Sequence, residues 1–122
     1  MLFISNGFSL NMLGENLRNY GGHIVFHRTD LYEVGLLIDS QQTINVIGHA
    51  DIDRLVRDRL KFEGVNLEPG ERVSVSLQEE DLLAVAQYVG PRLPEGTVTL
   101  PEGARIEWFL ISYEHWSKYE RT

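Results

Sequence analysis

Three short segments of this chain carry residue types that phosphate chemistry uses. Gly48-His49 stands where a buried-type run, Ile44-Asn45-Val46-Ile47, gives way to an amphipathic stretch beginning at Ala50. A helix starting there presents unpaired backbone N–H groups and partial positive charge, a ready anion site. Glycine lets a phosphate approach the backbone closely. Histidine can donate a proton near neutral pH, because its ordinary pKa is about 6.5. The same histidine could equally do no more than cap the helix or pack at the junction. The second segment is Arg92-Leu93-Pro94-Glu95-Gly96. Its arginine offers a fixed fork of donors suited to phosphate, and Glu95 could orient that fork or act as a base. Read blandly, it is an exposed loop with a solvent-facing ion pair. The third is Ser9 with Asn11, small polar residues among apolar Phe8, Leu10, Met12 and Leu13. They could face a ligand at a strand end or simply serve a turn.

The other histidines suggest less. His23 and His27 are four apart, which on a strand places both on one face, so a metal pair is conceivable. No cysteine or clear third ligand accompanies them, and the spacing suits a helix better. His115, beside Trp116, has no identifiable partner. A nucleophilic Ser9–His49 pair is disfavoured, since Ser9 lies in Gly7-Phe8-Ser9-Leu10-Asn11 and not in a Gly-x-Ser-x-Gly elbow. No metal and no cofactor is expected.

These segments must be positioned by one modest fold. The chain has 122 residues, of which 43% are hydrophobic and 24% charged, as expected for a single globular domain over 1–122. It has no cysteine, which excludes disulfides and thiolate sites and is consistent with a reducing cytoplasm. No run approaches the roughly 18 apolar residues of a membrane span, and no secretory leader is recognisable. The net charge of −7 argues against broad binding to a DNA or RNA backbone. A small anion remains compatible, provided its pocket is locally positive.

Residues 2–5 form a short apolar strand that ends at the Asn6-Gly7 turn. Glu15 to Tyr20 reads as loop or a single helical turn. His23-Ile24-Val25-Phe26-His27 is a second strand by its β-branched and aromatic character. Thr29-Asp30 can cap a helix over 30–39, with Leu31, Val34, Leu37 and Ile38 at helical spacing. Gly35 weakens that helix by about 1 kcal/mol relative to alanine. Residues 44–47 form a buried strand. Ile52, Leu55, Val56 and Leu60 then make one stripe of a helix over 50–60, with Asp53, Arg54, Arg57 and Asp58 largely outside it. Arg72 to Leu77 alternates, with Val73, Val75 and Leu77 inward, and predicts a strand. Leu82 to Val89 fits either a buried strand or a helix; resemblance to a known family, more than periodicity, favours a strand in a hairpin with 72–77. Ile106 to Ile111, apolar on both faces at its centre, predicts a central strand. Residues 114–122 read as a polar tail.

The three segments also resemble one known family. Ser5-Asn6-Gly7-Phe8-Ser9-Leu10-Asn11-Met12-Leu13 is similar to the N-terminal signature of the viral ring nucleases, the anti-CRISPR enzymes that destroy cyclic tetra-adenylate. Val46-Ile47-Gly48-His49 resembles their strand followed by Gly-His and a helix. Arg92-Leu93-Pro94-Glu95-Gly96 resembles their Arg-Leu-acidic-Glu-Gly segment and departs from it at Pro94, where an acidic residue is common. The segments fall in matching order at similar separations, and the resemblance spans nearly the whole chain.

With that resemblance, the elements compose an α/β fold: a mixed central sheet of about five strands flanked by helices in a single small domain. The resemblance further implies a two-fold homodimer holding one ring of cyclic tetra-adenylate in a shared pocket. Cleavage would be metal-independent, with a ribose 2′-hydroxyl attacking the adjacent phosphorus to leave 2′,3′-cyclic phosphate ends. His49, Arg92 and Glu95 are the implied catalytic residues. Asn6, Ser9, Asn11 and Gly48 are the implied substrate contacts. Such an enzyme would act in the cytoplasm, against the messenger of type III CRISPR defence. The contrasting expectation is a module that binds a cyclic nucleotide or a protein partner without cleaving anything.

Overall fold

The computed structural model describes residues 1–115. The chain runs β1 (Leu2–Ser5), α1 (Glu15–Tyr20), β2 (Gly22–Thr29), α2 (Leu31–Ser40), β3 (Thr43–Asn45), α3 (Ala50–Phe62), β4 (Leu82–Val89) and β5 (Arg105–His115). One five-stranded mixed sheet, in the order β2-β5-β4-β1-β3, organises these elements. β1 pairs in parallel with β3, from Leu2↔Thr43, and with β4, from Leu2↔Leu82. β5 runs antiparallel to both β4 and β2. The α/β class and the mixed five-stranded sheet expected from sequence are therefore present, with three helices.

Alternation along β1 explains how the sheet is held. Leu2 and Ile4 face one core with Val34 of α2, Val56 and Leu60 of α3, and Trp108. Phe3 faces the opposite core, with Leu83, Val85, Ile111, Tyr113 and Leu17 of α1. A strand buried on both faces reads as an unbroken apolar run, which is why residues 2–5 show no period of two. Gly35, costly to a helix by propensity, is needed where it stands. A Cβ there would lie 3.1 Å from Val65 Cγ2, so α2 packs closely on the chain that follows α3.

The strand expected over 72–77, and its hairpin with 82–89, are not formed. β1 and β5 flank β4 on its two sides, so the sheet has no vacancy beside it for a third partner. Residues 72–77 instead cross the second core, with Leu77 buried and only an isolated bridge between Leu13 and Leu77. Backbone bonds from Gly14 N to Leu77 O (2.9 Å) and Leu77 N to Met12 O (2.7 Å) fasten the crossing, and the Tyr113 hydroxyl also donates to Leu77 O. Three smaller differences follow. Glu15–Tyr20 is a true helix, β3 ends at Asn45, and β5 extends to His115. The expected polar tail thus begins inside a strand, and its residues 116–122 lie outside the described residues.

Candidate active site

α3 starts as its sequence requires. His49 is the N-cap in extended backbone conformation, and its side-chain Nδ1 accepts the Ile52 backbone N–H at 3.3 Å. The cap thus uses Nδ1 as an acceptor and leaves Nε2 outside it. The capping role proposed for His49 is real, yet it occupies one nitrogen only. Asp51 follows in the first turn, where the dipole favours a carboxylate, and Arg54 lies 3.8 Å from its Oδ1.

The segment after β4 lies against this helix start. Gly90 adopts φ +156° and Gly96 φ +81°, conformations that favour glycine, and they bracket the Arg92-Leu93-Pro94-Glu95 stretch. The Thr97 hydroxyl and N–H both donate to Pro94 O and close a turn there. The Tyr88 hydroxyl donates to Pro91 O, and the Gly96 N–H donates to Asp51 Oδ2 at 3.2 Å.

Between the two elements is a cleft of about 620 Å³ that His49, Asp51, Tyr88, Arg92 and Glu95 line with Ile52 and the loop backbone. It is of ligand size. It also lies beyond the carboxyl ends of parallel strands, where open α/β sheets commonly bind ligands. His49, Arg92 and Glu95 are 43 and 46 positions apart in the chain, by their numbering, and the fold brings them together. Among the described residues, Arg92 and Glu95 form no ion pair, so the bland solvent-facing pair is not what holds the loop.

The other expected contacts are not among the residues lining this cleft. Asn6 sits in the turn that Ser5 braces, Oγ donating to Gly7 O at 2.8 Å. Ser9 is exposed and begins a 3₁₀ turn over Leu10–Met12 without a side-chain cap bond. Asn11 lines grooves with Val75 and Ser76, not this cleft. Gly48 is exposed and adjoins His49, and a Cβ there would meet nothing within 4 Å. Among the described residues, no three His, Cys, Asp or Glu side chains cluster as metal ligands, and His27 faces Glu33 at 3.8 Å.

Three findings were not anticipated. Tyr88 and Asp51 line the cleft, though neither stood out by residue type. Asp53, read as lying outside the apolar stripe, is buried. Its carboxylate accepts from Asn45 Nδ2 at 2.6 Å, Gly70 N at 3.0 Å and Arg57 Nε at 3.2 Å, tying β3 and the 68–70 turn to α3. The expected positive pocket is also corrected. Within one protomer the cleft sets Arg92 against Asp51 and Glu95, so its side chains supply no cationic surplus.

Fold and cleft together define a small α/β protein with a ligand-sized site at the ends of its parallel strands. The chain belongs to the STIV B116-like family, whose model matches residues 2–110. Among solved structures it is similar to B116 of Sulfolobus turreted icosahedral virus, with 27% identity and a TM-score of 0.69 over 91% of this chain and 97% of that one. A search of curated proteins found no match. Among the described residues, no helix is long and apolar enough to cross a membrane.

Proposed function

We propose that this protein is a metal-independent ring nuclease that opens cyclic tetra-adenylate. The observation that carries the reading is the meeting of His49, Arg92 and Glu95 in one cleft at a helix N-terminus. An enzyme whose nucleophile is supplied by the substrate needs only to position it, stabilise phosphorane charge and protonate a leaving oxygen. The ribose 2′-oxygen bonds to phosphorus as the P–O5′ bond breaks. The 2′-hydroxyl proton passes to Glu95, and His49 returns one to the 5′-oxygen. Arg92 and the α3 N–H groups hold the phosphoryl oxygens.

The cap on Nδ1 gives this chemistry a condition. An imidazolium carries a proton on both nitrogens and cannot accept from Ile52. Protonating His49 therefore releases the Ile52 N–H, a free donor at the helix start for the incoming phosphate. At 3.3 Å the bond is long for its type and cheap to give up.

In the two-fold homodimer of this reading, Asn6, Ser9 and Asn11 contact the ring in a pocket shared by the two protomers. Such symmetry matches a four-nucleotide ring. The test is incubation of the purified protein with cyclic tetra-adenylate in EDTA, followed by chromatography. Linear products ending in 2′,3′-cyclic phosphate are expected, and an intact ring after binding rejects the nuclease reading. The His49 cap itself favours a second reading, a module that binds the ring without cutting it. The same assay separates the two.

A further inference from the structure

We infer that Asp51 is a positioning residue, a latch that sets how far the Arg92–Glu95 loop stands from His49. The inference rests on the proposed nuclease reading for its kinetic arm only. Asp51 Oδ2 accepts the Gly96 N–H at 3.2 Å across 45 positions of sequence. It thereby joins the far end of the loop to the first turn of the helix that His49 caps. At the near end the Tyr88 hydroxyl holds Pro91 O, and Gly90 supplies a backbone conformation that side chains rarely adopt. The loop is thus pinned at both ends, and only the Asp51 pin reaches the element carrying the histidine.

The position is unexpected for a carboxylate. Asp51 lines a cleft read as taking a polyanion, and its side chain is only 13% exposed. Arg54 lies 3.8 Å from its Oδ1, while the carboxylate's repulsion of phosphate works against ligand affinity. Latch and repulsion therefore predict opposite kinetic effects. Removing the side chain frees the loop, which lowers kcat, and removes a negative charge, which lowers KM. A residue that merely supported the fold would not lower KM together with kcat.

The experiment compares wild type, Asp51→Ala and Asp51→Asn by NMR amide exchange at Gly96 and by cleavage of cyclic tetra-adenylate. Wild-type Gly96 should be protected, D51A should lose that protection, and D51N, with a weaker acceptor in the same place, should fall between. D51A should lower kcat about tenfold, the scale of one hydrogen bond to a charged acceptor. D51N should recover most of that loss while keeping the lower KM. Gly96 exchange that is fast in wild type, or unchanged in both variants, overturns the latch whatever the activity. Released Gly96 with unaltered kcat overturns its positioning role. If wild type cleaves nothing, the nuclease reading fails and the exchange arm still decides the latch. Should D51A not fold, D51N alone carries the exchange arm.

Discussion

Replacing His49 with asparagine separates the two roles that the structure and the proposed chemistry give this side chain. Its Nδ1 holds the Ile52 N–H at 3.3 Å, which puts the cap near the low end of the 0.5–2 kcal/mol range typical of caps, at about 0.5–1 kcal/mol. Asparagine is among the best N-cap residues and places a side-chain oxygen within reach of the same donor. H49N should therefore melt within about 2 °C of wild type, whereas H49A, with no acceptor, should lose about 2–5 °C. Neither substitute has a proton to give at neutral pH. Loss of general-acid catalysis costs about 10²- to 10⁴-fold in rate, or roughly 2.7–5.4 kcal/mol of barrier. That exceeds the cap severalfold, so both variants should fall by a similar factor in kcat while only one falls in stability. Single-turnover cleavage in EDTA and thermal melts at matched concentration supply the two readouts. Wild-type kcat in H49N would refute the acid assignment. A large stability loss in H49N would instead show that the ring does more than cap the helix.

Four further outcomes test separate parts of the structure. Asp53→Ala should cost about 3–5 kcal/mol in chemical denaturation, because a buried network loses the one acceptor shared by Asn45, Gly70 and Arg57; a loss under about 1 kcal/mol would contradict it. Gly70→Ala should destabilise the fold by about 1–3 kcal/mol in the same assay, since its Cβ would lie 2.3 Å from Ile47 O. Gly48→Ala meets open space, so it should leave stability within about 0.5 kcal/mol and raise KM if phosphate approaches the backbone there. Burial, reinforced by the carboxylates of Asp81, Glu80 and Glu79, holds the Tyr113 phenol above its ordinary value of 10.0. The folded state then keeps that proton more tightly than the unfolded one, so stability is full below pH 10 and falls as pH rises through the folded value. Tyr113→Phe should flatten this alkaline slope in pH-dependent melts.

The parts of the fold legible in the sequence are those where a period or a cap states its own geometry. The stripe of Ile52, Leu55, Val56 and Leu60 marks α3, and Asp30, whose side chain accepts from Glu33 N, marks the start of α2. Residues 72–77 misled because alternation reports which side chains are buried and not what the backbone pairs with. Val75 and Leu77 do pack inward, on the second core, whereas Val73, also expected inward, is exposed, and β4 already has both neighbours. Pairing is a property of the whole sheet, and no local window contains it.

The candidate site divides along the same line. Gly48-His49 was visible because a glycine and a histidine at a strand-to-helix junction are local chemistry. Arg92 and Glu95 were visible as a segment, but their meeting with His49 is produced by β3 and β4 flanking β1 with their carboxyl ends together. Asp51 and Tyr88 could not be seen, because an acid in a first turn and a tyrosine near a strand end are ordinary where they stand. What makes them part of the site is a partner, Gly96 for one and Pro91 for the other, that only the closed loop supplies. Asp53 shows the converse. Two residues from Asp51 in the same first turn, it lies on the inward side of α3 and is consumed by structure. The helix thus divides its first-turn acids between holding the fold and holding the loop, and that division makes D51A a functional test where D53A is a stability test.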